Sequence, residues 1–210
     1  MKGSNTKDII LGEALKLFAN KGYEAVGVEE IAKAVGIKAP SLYKHYKNKR
    51  AIFDSIIARV NEADSEKAKE HEMPETAIEQ SAEDYESVPL EKIGEYTKEM
   101  FLHWTKDEFF CRFRKLLTLE QYKSAEMQSL YQQYISSGPV KYMADIFSRV
   151  TSSKSEAYRY ALDFYGPMYL LYSIYDGSND IELTLELLQR HINSFFNDKK
   201  FQTAEKRGEN

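Results

Sequence analysis

Residues 38–50 read KAPSLYKHYKNKR. Lys38, Lys44, Lys47, Lys49 and Arg50 stand there beside Tyr43, Tyr46 and His45, with no carboxylate among them. Ammonium and guanidinium groups neutralise phosphates, and serine, tyrosine and backbone N–H groups position a polyanion by hydrogen bonds. The chemistry open to this segment is recognition of an anionic partner. The charge balance sharpens the contrast. The 210-residue chain has a formal net charge of −4, yet residues 1–60 carry eleven Lys/Arg against six Asp/Glu, a net +5, so the rest carries −9. A basic module on an acidic chain points to a polyanion partner for the first part alone. A solvated basic face without a partner is the plain alternative.

Other chemistry is poorly supplied. His103, Glu108 and Cys111 fall close in sequence, but Asp107 marks a helix break between the histidine and the cysteine, and nothing nearby orients them as a nucleophile and base. The four histidines are scattered and Cys111 has no second cysteine, so neither a metal site nor an internal disulfide is expected. Cys111 reads as a small packed hydrophobe. No enzyme activity and no cofactor are predicted. The start, MKGSNTKDII, has no apolar stretch of signal-peptide length, and the longest nearly apolar run, residues 162–175, contains Asp163 and Gly166-Pro167. A cytoplasmic protein without membrane association is expected.

The elements that must position the basic segment read as all helical. Apolar residues recur at helix spacing, and the few Gly and Pro fall between periodic stretches. A first helix spans about Thr6–Asn20, with Ile10, Ala14, Leu15 and Phe18 on one face and Gly22 as a left-handed cap. A second, Val28–Val35, buries Ile31 and Val35 and stops at Gly36; Gly27 in its N-cap slot offers no side-chain acceptor. A third starts at Pro40 and ends near Tyr46. Asn48 caps a fourth, Lys49 to about Lys69, with Ile52, Phe53, Ile56 and Val60 inward. An acidic connection at 61–88 follows, then helices at Leu90–Thr105, Asp107–Gln121 and Ser124–Val150, the last in two pieces kinked at Gly138-Pro139. Ser153 and Glu156 open a helix to about Asp176, closed by Gly177; Asn179 and Glu182 start a final one reaching Phe196, before a polar tail.

Two short helices joined across a tight turn at Gly36, with a third helix packed behind, make a helix-turn-helix. In that motif the second helix enters the DNA major groove. The DNA-binding segment is Lys38, Ala39, Ser41, Leu42, Tyr43, Lys44, His45 and Tyr46, with Lys49 on the next helix. Within it Leu42 and Tyr46 turn inward and the others are left for solvent or DNA. Lys49 opposes the dipole of the helix that it opens, a cost that a nearby phosphate would offset.

The stretch ALKLFANKGYEAVGVEEIAKAVGIKAPSLYKHYKNKRAIFDSII resembles the DNA-binding domain of the tetracycline-repressor-like (TetR/AcrR) family of bacterial transcription regulators. The matching features are Ala14, Leu17 and Phe18, then KGYEA, IAKAVGI and SLYKHYKNK ahead of an apolar helix, over roughly residues 8–58. Two positions depart from the family pattern. Gly27 stands where Thr or Ser usually caps the second helix and touches a phosphate, and Lys38 replaces a common small polar residue.

The resemblance implies an all-α protein of about nine helices. A helix-turn-helix DNA-binding domain over residues 1–48 would precede a larger ligand-binding and dimerisation domain over 49–210, with 49–70 as the connecting helix. It implies a homodimer that binds double-stranded palindromic operator DNA as a repressor and is released by a small apolar or aromatic effector. A transcriptional activator of the same fold is the alternative, and a helical protein that meets a membrane or an acidic protein is a more distant one. Phe101, Trp104, Phe113, Met127, Tyr131, Tyr165 and Tyr169 are the candidate effector-pocket residues, set against the plainer reading of aromatic core. Gly166, Leu170 and Ser173, with Leu185, Leu188, Ile192 and Phe195, are the candidate dimer surface, two helices per protomer building a four-helix bundle.

Overall fold

The structure, a computed structural model, describes residues 6–74 and 90–198. Part of the acidic connection, including Val88-Pro89, and the tail from residue 199 lie outside the described residues. The described chain is helical throughout: α1 Thr6–Lys21, α2 Val28–Val35, α3 Ala39–Tyr43, α4 Lys49–Glu70, α5 Leu90–Lys106, α6 Glu108–Glu120, α7 Ala125–Ile135, α8 Ser137–Phe147, a 3₁₀ turn Ser148–Val150, α9 Lys154–Ser178 and α10 Ile181–Phe196. Among the described residues there is no strand, and no helix is long and apolar enough to cross a membrane. The fold is all-α, as expected.

Local chemistry sets most boundaries. Gly36 adopts φ +78°, and its amide and that of Ile37 return to the carbonyls at the end of α2, a left-handed cap that closes the turn of the helix-turn-helix. Gly27 precedes α2 in an extended conformation with no side-chain cap bond, as its lack of an acceptor dictates. Asn48 Oδ1 accepts from the Ala51 amide at 2.8 Å and starts α4. Asp107 accepts from the amides of Phe109 and Phe110 and starts α6. Ser153 accepts from Glu156 N, while the Glu156 carboxylate accepts from Ser152 N at 3.0 Å, so the reciprocal bond of the capping pair lands one residue early.

Three boundaries differ from expectation. The break in the 124–150 stretch falls at Ser136, so Gly138 and Pro139 lie in the first turn of α8, where an amide has no helical partner and proline costs little. The close approach of α7 is what demands glycine here: a Cβ on Gly138 would lie 1.9 Å from the Gln133 carbonyl oxygen. Gly138→Ala is expected to lower the unfolding free energy by about 3 kcal/mol, at the top of the usual overpacking range because the obstacle is backbone; urea unfolding followed by circular dichroism measures it. At the other end, α9 runs through Gly177 to Ser178, and Asn179 takes the left-handed cap at φ +54°. Asp180, in place of Asn179, then caps α10 by accepting from Leu183 N. Asn tolerates the left-handed region through its short polar side chain, so it serves one helix end and leaves the next to its neighbour.

The chain packs as two compact units, residues 1–64 with 106–131, and 65–105 with 132–210. In the first, α1 lies against both α2 and α6. Its centre is aromatic: the Phe18, Tyr23 and Phe53 rings lie 5.1, 6.4 and 4.9 Å apart in pairs, with Ile10, Leu15, Ile31 and Ile52 fully buried around them. In the second unit α9 packs on α8 and α10. Phe147, Phe164 and Phe195 form its ring cluster, at 5.7, 5.5 and 4.9 Å. Pro167 sits inside α9, and close to it the His191 ring makes a 2.8 Å hydrogen bond to the Phe164 carbonyl.

Candidate nucleic-acid interface

The candidate reading helix is short, and its placement rests on a few buried anchors. Lys38 is extended and Pro40 falls in the first turn of α3. Leu42 is fully buried; although α3 ends at Tyr43, the amides of His45 and Tyr46 both bond back to the Leu42 carbonyl, at 2.9 and 3.0 Å, and carry the turn on. Tyr46 is buried too. Burial pushes its phenol above the usual range, against an opposing hydrogen bond with Ser55 of α4. Leu42 and Tyr46 therefore dock the reading helix, and the outward residues are what can touch a partner. Lys38, Tyr43, Lys44 and Lys47 are exposed, and Ala39, Ser41 and His45 are half-buried. Tyr43 has 48% of its surface exposed.

Lys49 is placed differently from expectation. Its ammonium donates to the Tyr23 carbonyl at 2.8 Å and to the Glu24 carbonyl at 3.4 Å, lies 4.3 Å from the Tyr23 ring centroid, and is 3.7 Å from the Glu24 carboxylate. The cost of a cation in the first turn of α4 is offset within the protein, and the lysine ties the α1–α2 loop to α4. Nothing in KNK alone reveals this, because the partner carbonyls lie 26 and 25 residues back along the chain.

The candidate effector residues divide between the units. Phe113, Met127 and Tyr131 are buried in the first; Phe101, Trp104 and Tyr165 are buried in the second, where Tyr169 is 46% exposed. Phe101 stacks on Tyr172 at 5.0 Å, and the Tyr165 hydroxyl donates to the Ile135 carbonyl at 2.8 Å. The second unit also has a polar hollow lined by Glu70, His71, Glu72, Lys92 and Glu95, in which the hydrogen bond from Lys92 holds the Glu72 carboxyl below its ordinary range. His103 falls in the second unit and Glu108 and Cys111 in the first; Glu108 pairs with Arg112 at 2.7 Å. Among the described residues no group of three or more His, Cys, Asp or Glu could hold a metal ion.

Of the candidate dimer residues, Gly166, Leu170 and Ser173 are exposed on α9. Leu188 and Ile192 are buried in the second unit, Ile192 so close to α5 that a Cβ at Gly94 would lie 2.9 Å from its Cγ2. Phe195 is half-buried in the ring cluster and Leu185 is half-buried. The outward apolar residues of α10 are Leu183 and Leu187, and α9 adds Tyr158, Leu162 and Ile174. The stripe read from the sequence was thus the inward face of α10, because helix periodicity marks an apolar face without saying which chain covers it.

The site is thus a helix-turn-helix carrying an exposed basic and aromatic helix, among described residues that are otherwise helical. Residues 10–56 match the family model for bacterial regulatory proteins of the tetR family. The negative transcriptional regulator IcaR of the biofilm operon icaADBC in Staphylococcus aureus is 41% identical over 51 residues, 24% of this chain and 27% of that protein. The HTH-type transcriptional repressor ComR of Escherichia coli is 40% identical over 53 residues, 25% of each chain. The matched segment thus spans about a quarter of these relatives. Solved structures extend the likeness in fold. A transcriptional regulator of the TetR/AcrR family from Aquifex aeolicus superposes with a TM-score of 0.64 at 19% identity, covering 91% of this chain and all of that one. The triclosan complex of SmeT superposes at 0.63 and 14% identity, covering 91% and 90%. The family match thus covers residues 10–56, and over the rest of the described chain the likeness is one of fold.

Proposed function

We propose that this protein is a transcription repressor that binds a palindromic duplex as a homodimer and is released by a small apolar or aromatic effector. The observation that carries the reading is the set of exposed cations around α3, Lys38, Lys44 and Lys47, flanking exposed Tyr43 and seated on buried Leu42 and Tyr46. The proposed DNA-reading segment ends at residue 48, and the rest serves ligand binding and dimerisation. Repression is the role in the names of both curated relatives, and the triclosan complex of SmeT supports a hydrophobic aromatic effector class. Self-association is assigned to the outward apolar faces of α9 and α10. Tyr158, Leu162, Tyr169, Leu170 and Ile174, with Leu183 and Leu187, recur at helix spacing around Gly166 and Ser173. A two-fold dimer suits a palindrome whose half-sites lie about one helical turn, ~34 Å, apart.

For release, the effector must favour one state of the dimer over the other; a hundredfold loss of duplex affinity needs about 2.7 kcal/mol of coupling, and DNA must weaken effector binding equally. The test is selection of tight binders from random-sequence duplexes with the purified full chain at several salt concentrations. The expected result is a palindromic consensus bound by two copies, with affinity falling steeply as salt rises. No enrichment at any salt, including after unfolding and refolding to strip bound ligand, would overturn the reading.

A further inference from the structure

Arg50 sits in the first turn of α4, where the helix dipole disfavours a cation. Its guanidinium is held on two sides. Nε donates to Asp54 Oδ1 at 2.6 Å, one turn on, and Nη1 lies 2.7 and 2.9 Å from the two carboxylate oxygens of Glu126, 76 residues away. These bonds hold the guanidinium more firmly protonated than usual. Glu126 lies in the first turn of α7, where a carboxylate is favoured. The same α6–α7 connection is braced at its other end. Glu120 is buried, pairs with Lys123 at 2.5 Å, and approaches the left-handed cap of α1 so closely that a Cβ on Gly22 would lie 2.8 Å from its Oε1. All of these residues belong to the first compact unit. The connection between α6 and α7 therefore grips the end of α1 through Glu120 and the start of α4 through Glu126.

We propose that Glu126 is a positioning residue for DNA reading: by holding Arg50 it sets how α4 leaves the reading helix, and it does so without touching DNA. The inference rests on the proposed DNA-binding function. It has a distinctive sign. Removing an acidic charge from a DNA-binding protein tightens duplex binding if the charge acts only through its field, whereas losing a positioning contact weakens binding by leaving the reading helix less ordered. An exposed ion pair is worth little alone, so the expected effect is modest.

The test measures affinity at fixed salt for the palindromic duplex selected on the wild-type protein, together with amide exchange of residues 53–57 in the DNA-free full chain. Glu126→Gln is expected to weaken binding about threefold, about 0.65 kcal/mol, and to speed exchange in that turn. Glu126→Asp, which keeps the charge, is expected to stay within twofold of wild type. Glu126→Gln added to Arg50→Gln is expected to weaken binding no further. Unchanged or tighter binding by Glu126→Gln, an equal loss in Glu126→Asp, or full additivity with Arg50→Gln would overturn the proposal. If the wild type selects no duplex, the DNA-binding reading fails by itself and amide exchange alone decides whether Glu126 braces α4 through Arg50: faster exchange in both Gln variants supports the brace, and unchanged exchange rejects it.

Discussion

Replacing Tyr43 and Lys44 together by alanine is expected to lower duplex affinity about a hundredfold, or about 2.7 kcal/mol, with little change in thermal unfolding. Both side chains are exposed at the end of α3, and neither belongs to the core that Leu42 and Tyr46 anchor. Surface substitutions away from packed groups usually move stability by no more than about 0.5 kcal/mol. A side chain at a base edge is worth about 1–3 kcal/mol, and a lysine on a phosphate adds about one unit to the salt slope. Fluorescence anisotropy at several salt concentrations separates the two: Lys44→Ala alone is expected to flatten the slope by about one, and Tyr43→Ala alone to leave it nearly unchanged. Wild-type affinity in the double variant would remove α3 from the interface.

Phe53→Ala is expected to cost about 3–5 kcal/mol of stability, the usual range for emptying a buried phenylalanine site. The ring is 1% exposed and contacts both Phe18 and Tyr23, joining α4, α1 and the α1–α2 loop. Lys49 lies over the Tyr23 ring, so a cavity at Phe53 also loosens the ring that the ammonium covers. Total stability of a domain is about 5–15 kcal/mol, and the variant is expected to populate unfolded chains at 37 °C and to lose duplex binding with them. Phe53→Leu, which keeps most of the volume, is the control and is expected to cost under about 1.5 kcal/mol. Urea unfolding followed by circular dichroism measures both.

The polar hollow of the second unit is lined by Glu70, His71, Glu72, Lys92 and Glu95, none of them apolar. The candidate effector residues are mostly buried, and they are shared between two compact units. The proposal for an effector therefore rests on composition, while the proposal for DNA rests on the residues around α3. The α6–α7 connection rests on neither: its contacts in the first unit are the ion pairs of Glu120 with Lys123 and of Glu126 with Arg50.

Short-range chemistry made the first four helices legible. Gly22 and Gly36 as left-handed caps, Asn48 and Asp107 as N-caps, Pro40 in a first turn, and the inward set Ile31, Leu42, Ile52 and Phe53 all follow from backbone sterics, capping and periodicity within a few residues. The same rules failed by one or two residues at Gly177 and Asn179, where two residues could each take the left-handed cap. Partners far apart in sequence were decided only by tertiary structure. Lys49 turned onto the Tyr23 and Glu24 carbonyls, Arg50 reached Glu126, α6 packed against α1, and Leu188 and Ile192 went to the core of the second unit. The reason is physical: a cap or an apolar stripe is specified by neighbours a turn away, whereas the partner of a charge or a face depends on which segments the fold brings alongside it.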